Sequence, residues 1–159
     1  MLEHNIYEYL EHCHIDYQVV EHKAIDTIEE MLQQDIPHHE WIVKNLFLRD
    51  DKKRHYYLLV LEQSKKVQMK DLRNKINSRS LSFASNQDLL KYLKVPQGSV
   101  TPLAVFNDDT HNVEVIIDKD ITEMIGIHPL INTKTIFMKK VSLIQLLKDC
   151  SYTVKEIKI

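Results

Sequence analysis

The chain has 159 residues, enough for one domain (residues 1–159) with a sizeable hydrophobic core. It is 43% hydrophobic and 28% charged with only 2 glycines, a composition typical of a globular protein rather than a disordered or fibrous one. No apolar run approaches the roughly 20 residues of a membrane span, and the acidic start MLEHNIYEYL lacks the features of a signal peptide. We therefore expect a cytoplasmic protein with no membrane partner.

The net charge of −2 conceals two regions of opposite sign. Residues 1–40 contain ten Asp and Glu against Lys23 alone, a net charge of −9. Residues 52–79 contain nine Lys and Arg against Glu62 and Asp71, a net charge of +7. Such a basic region can attract a polyanion. A cluster of Lys and Arg in a sequence is nevertheless more often only a solvent-exposed surface without a ligand.

The first half of the chain predicts helices alternating with strands. Helical spacing of apolar residues predicts a helix over 2–13, and Thr27 begins a second helix that runs to about residue 33. The strands expected here are 17–21, 41–50, 55–62 and 80–83, and the charged turn DDKKR should join 41–50 to 55–62 as a hairpin. A short helix is expected over 70–77, and Ser85 should cap another through LLKYL.

The second half predicts a second hairpin, in which QGSVTPLAVF and VEVIID are joined by the turn NDDT. A short helix at 120–124, a tight turn at Gly126–Pro129, a strand, the helix VSLIQLLKDC and the closing strand YTVKEIKI follow. Helices and hairpins alternate without a steady βαβ rhythm. The predicted fold is therefore α+β, a single domain with a mixed, mostly antiparallel sheet flanked by helices.

Two polar residues interrupt the strand WIVKNLFLRD. Alternation along an extended chain places Lys44 on one face and Asn45 on the other, each among large apolar neighbours. A buried ammonium group is costly unless it is paired, reaches solvent or serves a ligand. Lys44 and Asn45 are therefore candidate functional residues.

Glycine occurs only at positions 98 and 126, and each is followed by unusual residues. Gly98 allows a ligand to approach main-chain N–H groups closely, and the hydroxyls of Ser99 and Thr101 lie next to it. A plain helix C-cap followed by the start of a strand is the more common explanation of such a glycine. His128 can titrate near neutral pH or simply pack in the interior.

Several site classes are not supported. There is no GxxxxGK[ST] loop, no GxSxG elbow, no HExxH motif and no Cys/His set with zinc spacing. Cys13 and Cys150 are far apart in sequence and are expected to be free thiols. The sequence thus predicts neither a metal site nor a cofactor.

Four segments together carry a resemblance to a known family. They are EHKAIDTIEE, VKNLFLRDDKKRHYYLLVL, QGSVTPLAVFND and GIHPLINTKT. In this order they resemble the YbaK/prolyl-tRNA-editing family, in particular the free-standing Ala-tRNA(Pro) deacylases related to the editing insertion of bacterial prolyl-tRNA synthetase. The chain has SVTPLA where the cysteinyl-tRNA(Pro) deacylase branch has a SPIG-like sequence, which favours the alanine branch.

The resemblance implies hydrolysis of the ester between misactivated alanine and a proline-specific tRNA, with translation fidelity as the outcome. It implies the acceptor end of tRNA(Pro) carrying alanine as the substrate, prolyl-tRNA synthetase as a further partner, and neither DNA nor a cofactor. Attack by water, aided by the ribose hydroxyl of the substrate, is the implied route, because the chain offers no obvious nucleophile.

The resemblance also assigns roles to individual residues. Lys44 would bind the charged 3′ end of the tRNA, and Asn45 would organise the strand or reach the rim of the pocket. The Gly98 turn would donate backbone N–H groups to the oxyanion, assisted by Ser99 and Thr101. His128 would line the aminoacyl pocket and help to exclude proline. The matched HPLxNT segment adds two substrate-binding candidates, Pro129 and Asn132.

Three alternatives remain open from the sequence. The chain could deacylate tRNA carrying serine, threonine or cysteine, because the side chains that set the pocket size cannot be placed from sequence. It could be a non-catalytic aminoacyl-tRNA-binding module on the same fold. It could also be a small-molecule esterase, for which the basic region 52–79 would have no use.

Overall fold

In a computed structural model, which describes residues 1–159, the chain forms eight strands and five α-helices. The strands are β1 (Tyr17–Glu21), β2 (Lys44–Asp50), β3 (Tyr56–Leu61), β4 (Leu81–Phe83), β5 (Val113–Asp118), β6 (Met124–Ile127), β7 (Lys134–Lys139) and β8 (Val154–Ile157). The α-helices are α1 (Glu3–His12), α2 (Ile28–Leu32), α3 (Met69–Ile76), α4 (Asn86–Asp88) and α5 (Lys140–Asp149). The remaining helical segments are 3-10 turns at His39–Trp41 and Pro102–Asn107 and a π-helical turn at Leu89–Leu93.

The strands form two sheets, one of five strands in the order β4-β2-β3-β5-β8 and one of three in the order β1-β7-β6. The pairs β2–β3, β2–β4, β1–β7 and β6–β7 are antiparallel, whereas β3–β5 and β5–β8 are parallel. The predicted α+β fold with mixed, mostly antiparallel pairing is confirmed, and its strands are divided between two sheets.

The largest apolar cluster contains residues from both sheets together with α1 and α5. A smaller cluster lies on the opposite face of the five-stranded sheet, where Leu72 of α3 packs among Leu48, Leu59 and Leu61. Strand β3 is therefore covered on both faces, and all six of its residues are buried. This explains why its sequence, YYLLVL, is continuously apolar instead of alternating.

Several local predictions are confirmed. Thr27 caps α2 by accepting a hydrogen bond from the Glu30 amide, and Ser85 caps α4 by accepting one from the Asp88 amide. The turn DDKKR joins β2 and β3 as an antiparallel hairpin. Cys13 and Cys150 are free thiols. None of the helices is long and apolar enough to cross a membrane.

The prediction of a second hairpin is wrong. Residues 102–107 form a 3-10 turn capped by the Thr101 hydroxyl, and β5 pairs in parallel with β3 instead of folding back on them. Pro102 has no N–H to donate to a strand and fits the first turn of a helix, which explains this outcome. The side chains of Leu103, Ala104 and Val105 in this turn are buried in the largest apolar cluster.

Three boundaries also differ from the predictions. Residues 120–124 are not helical, and the strand β6 begins at Met124. Gly126 lies inside β6 instead of opening a tight turn. Strand β2 begins only at Lys44, because Trp41 belongs to a 3-10 turn that stacks on His38. The backbone just before Lys44 then meets β6, where the Val43 amide donates to the Gly126 carbonyl at 3.3 Å.

Candidate functional site

A cavity of about 310 Å³ lies at the junction of the two sheets. Its walls come from the segment around α2, the first residues of β2, the turn at Gly98, the end of β6 and the start of β7. The apolar lining residues are Ile25, Ile28, Met31, Ile42, Val43, Leu46 and Val100, and the polar ones are Asp26, Thr27, Glu29, Lys44, Asn45, Gln97, His128 and Thr135, with Gly98 between them. The cavity therefore combines an apolar surface with a few polar groups, as small-molecule sites usually do.

Lys44 and Asn45 both line this cavity, although alternation would place them on opposite faces. Strand β4 pairs with β2 only from Leu48 onward, so the first residues of β2 have β3 on one side and the cavity near the other. The Asn45 side-chain oxygen is buried and has no hydrogen-bond partner in the protein. An unpaired buried acceptor is costly, which marks Asn45 as a group available to a ligand.

The half-buried Lys44 ammonium donates a hydrogen bond of 2.7 Å to the backbone carbonyl of Lys65. Lys65 is itself fixed, since its ammonium contacts the carboxylates of Asp118 and Asp120 at 3.0 and 2.6 Å. Asp118 and Asp120 thus form ion pairs with Lys65, whereas Lys44 forms no ion pair. Its positive charge is held in place at the cavity wall and remains available to an anion.

The turn at Gly98 has a backbone conformation that requires glycine, with φ of +94°. A Cβ atom at this position would lie 2.2 Å from Oδ1 of Asp26. The amides of Gly98 and Val100 donate no hydrogen bond within the protein, whereas the Ser99 amide between them donates to the Pro96 carbonyl at 3.1 Å. Two unpaired N–H groups therefore belong to residues that line the cavity.

His128 enters the cavity wall directly after β6. Its Nδ1 lies 2.9 Å from the Lys134 carbonyl, which only accepts, so Nδ1 carries the proton and Nε2 is the free acceptor. Burial lowers the pKa of His128 below its usual value near 6.5 despite this hydrogen bond. The imidazole is therefore neutral at physiological pH.

The other residues predicted from the sequence lie around the cavity without lining it. Ser99 and Thr101 are buried, and the Thr101 hydroxyl accepts a hydrogen bond from the Leu103 amide at 3.4 Å. Pro129, the next residue after His128, is buried. Asn132 does not line the cavity but contacts a residue that does, because its side-chain amide donates a hydrogen bond to Oδ1 of Asp26 at 2.8 Å.

Sequence reasoning did not single out Asp26, Glu29, Gln97 or Thr135, which line the cavity. Thr135 is buried, and its hydroxyl lies 2.8 Å from Nε2 of His22. Nothing in the sequence distinguishes Asp26 from its acidic neighbours, since only the fold brings it against Gly98. No three His, Cys, Asp or Glu side chains are arranged to hold a metal ion.

The chain is similar to known proteins along nearly its whole length. The sequence model of the family described as the aminoacyl-tRNA editing domain matches residues 22–146. The prolyl-tRNA editing protein ProX of Acetoanaerobium sticklandii is 41% identical over 152 residues, which cover 94% of this chain and 93% of ProX. The prolyl-tRNA synthetase associated domain-containing protein 1 of Danio rerio is 31% identical over 157 residues, and this alignment covers 96% of this chain and 84% of the relative.

A solved structure described as a proposed trans-editing enzyme for prolyl-tRNA synthetase superposes with a TM-score of 0.72. The superposition covers 99% of this chain and 96% of that one at 18% identity, so it supports the fold alone. The matched range 22–146 contains every residue that lines the cavity. The fold and the cavity therefore fall within one recognised family.

Proposed function

Because the chain belongs to the aminoacyl-tRNA editing domain family, we propose that it removes alanine from mischarged tRNA(Pro) in trans. Members of this family deacylate aminoacyl-tRNA, so the chain is an aminoacyl-tRNA deacylase. The proline-specific tRNA is supported by the ProX relative, which is named a prolyl-tRNA editing protein. The same relationship points to association with prolyl-tRNA synthetase, which would supply the mischarged product.

The observation that carries this proposal is the pairing of one cation with two unpaired amides around a single cavity. Lys44 lies at one wall, and the amides of Gly98 and Val100 belong to another. The 3′ end of an aminoacyl-tRNA presents a phosphate and an ester carbonyl close together. A cation for the phosphate and N–H donors for the carbonyl are the groups that its hydrolysis needs.

In the proposed reaction, water attacks the ester carbonyl and the amides of Gly98 and Val100 stabilise the oxyanion that forms. The intermediate collapses by breaking the bond to the ribose oxygen, which takes up a proton, so that alanine and an intact tRNA leave. No side chain acts as a nucleophile. The neighbouring ribose hydroxyl of the substrate helps to position the water. Oδ1 of Asn45, which has no partner within the protein, accepts a hydrogen bond from this hydroxyl.

The remaining predicted residues shape the site. Thr101 caps the 3-10 turn that follows the Gly98 loop, and buried Ser99 anchors the loop through its amide, so both act on the donors indirectly. His128, supported by Pro129, narrows the apolar part of the cavity around the methyl group of alanine. A neutral imidazole suits this role because it adds no second positive charge beside the substrate ammonium.

Selectivity for alanine over the larger proline has a physical reason. A synthetase pocket built for proline cannot reject the smaller alanine strongly, since a missing methylene group is worth only about 1–3 kcal/mol. A second site that admits alanine and excludes the larger proline ring corrects the error after it is made. The apolar wall that carries Met31, Ile42 and His128 would provide this exclusion.

The proposal is tested with one tRNA(Pro) transcript carrying alanine, serine, cysteine or proline in turn. We expect Ala-tRNA(Pro) to be hydrolysed at least about 100-fold faster than Pro-tRNA(Pro). The proline ring would both collide with the cavity wall and lose the apolar contacts that the methyl group of alanine makes. The amino acid released by catalytic amounts of enzyme is the measured quantity.

Faster loss of serine or cysteine than of alanine would reassign the enzyme to another mischarged tRNA. Binding of Ala-tRNA(Pro) without hydrolysis would show a binding module instead. Equal hydrolysis of alanine and proline would contradict size exclusion at the cavity wall.

A further inference from the structure

Asp26 places a carboxylate directly against the Gly98 turn. Its Oδ1 lies 2.2 Å from where a Cβ atom of residue 98 would be, so the carboxylate occupies the space that a side chain would need. The backbone amide of Asp26 donates to Oε2 of Glu30 at 2.9 Å, and Oδ1 accepts from the Asn132 amide at 2.8 Å. The Asp26 backbone is therefore held by Glu30 and its side chain by Asn132, while the residue lines the cavity.

The cavity wall carries charged residues of both signs. Lys44 supplies its only ammonium group, and Asp26 and Glu29 supply its carboxylates. An aminoacyl ester has the matching arrangement, with a phosphate beyond the ribose and an α-ammonium two bonds from the carbonyl carbon. If the carbonyl oxygen faces the amides of the Gly98 turn, the α-ammonium lies within reach of a carboxylate that touches Gly98.

We propose that Asp26 binds the α-ammonium group of the aminoacyl ester and that Asn132 positions Asp26 for this contact. This inference rests on the proposed function, because it assumes that the ester carbonyl binds at the Gly98 turn. An ion-paired hydrogen bond here would fix the Cα–carbonyl bond relative to the oxyanion donors. Asp26 would make the site selective for esters with a free α-amino group over otherwise similar acyl esters.

The test compares two esters of the same tRNA(Pro). Alanyl-tRNA(Pro) carries an α-ammonium, and lactyl-tRNA(Pro), made from it by deamination, carries a hydroxyl at the same carbon. The measured quantity is the ratio of kcat/KM for the alanyl ester to kcat/KM for the lactyl ester. Each ratio is internal to one enzyme preparation, so partial loss of folded protein cancels.

We expect Asp26→Asn to lower this ratio by about 10-fold or more, because the ion pair between carboxylate and α-ammonium is lost and only the alanyl ester can form it. Asn132→Ala should lower the ratio in the same direction by less, since it leaves the carboxylate in place. Glu29→Gln removes a carboxylate of the same cavity that does not contact Gly98, and it should leave the ratio within about 2-fold.

An equal loss of both activities in Asp26→Asn would mean that Asp26 only supports the Gly98 turn, and the inference would be wrong while the proposed function stood. A lower ratio in Glu29→Gln alone would also overturn the assignment to Asp26. Failure of the wild-type protein to hydrolyse alanyl-tRNA(Pro) would instead refute the proposed function itself.

Discussion

Replacing Lys44 with alanine is expected to reduce deacylation of Ala-tRNA(Pro) by at least about 100-fold, because a charge-assisted contact to the substrate is lost. The ammonium is held by the Lys65 carbonyl and forms no ion pair, so its charge is available to the substrate phosphate. Single-turnover hydrolysis with excess enzyme measures this loss without a contribution from product release.

Two controls separate this role from general electrostatics and from folding. Lys70→Ala removes an exposed charge of α3 outside the cavity and should keep at least half of the activity. The free energy of unfolding of Lys44→Ala should change by only about 1 kcal/mol, the usual value of one hydrogen bond. Near-normal hydrolysis by Lys44→Ala, or an equal loss in Lys70→Ala, would show that Lys44 has no special role.

The second large effect is expected for Gly98→Ala, which combines a strained backbone with a steric conflict. A φ of +94° is disfavoured for any residue with a Cβ atom, and that atom would lie 2.2 Å from Oδ1 of Asp26. We expect a loss of about 1–3 kcal/mol in the free energy of unfolding from the backbone conformation alone. Deacylation should fall at least about 100-fold, because any shift of the turn moves the oxyanion donors. Urea denaturation and single-turnover hydrolysis measure the two effects separately.

A double variant distinguishes the two causes of instability. Asp26→Ala removes the conflicting oxygen and leaves the Asp26 Cβ at 3.4 Å, which is ordinary van der Waals contact. In the Asp26→Ala background, Gly98→Ala should therefore destabilise the protein less than it does alone, with the backbone strain remaining. Wild-type stability and activity in Gly98→Ala would contradict both the turn geometry and the proposed oxyanion donors.

Local signals in the sequence were sufficient for most of the fold. The capping residues Thr27 and Ser85, the charged turn DDKKR and the amphipathic spacing of α5 each act within a few residues, so each was recognised correctly. The prediction of a second hairpin was wrong because an apolar run followed by a turn does not specify its pairing partner. The partner of β5 is β3, from which it is separated in sequence by α3, β4, α4 and two further helical turns, and no local pattern specifies that pairing.

The candidate site was predictable only in part for the same reason. Lys44 and Asn45 stand out because polar residues interrupt an apolar strand, and Gly98 stands out because glycine is rare in this chain. Their convergence on one cavity depends on where β4 stops pairing with β2, which sequence does not reveal. Asp26 was missed because its contact with Gly98 joins residues far apart in the chain, within an acidic segment that offers many similar carboxylates.

The most direct test of trans-editing is a reconstituted mischarging reaction. A prolyl-tRNA synthetase without an editing domain is supplied with tRNA(Pro), ATP and alanine, and the amount of Ala-tRNA(Pro) is followed over time. We predict that the wild-type protein prevents its accumulation while Lys44→Ala does not, and that Pro-tRNA(Pro) made in a parallel reaction is unaffected. Equal accumulation of Ala-tRNA(Pro) with and without the wild-type protein would contradict the proposed function.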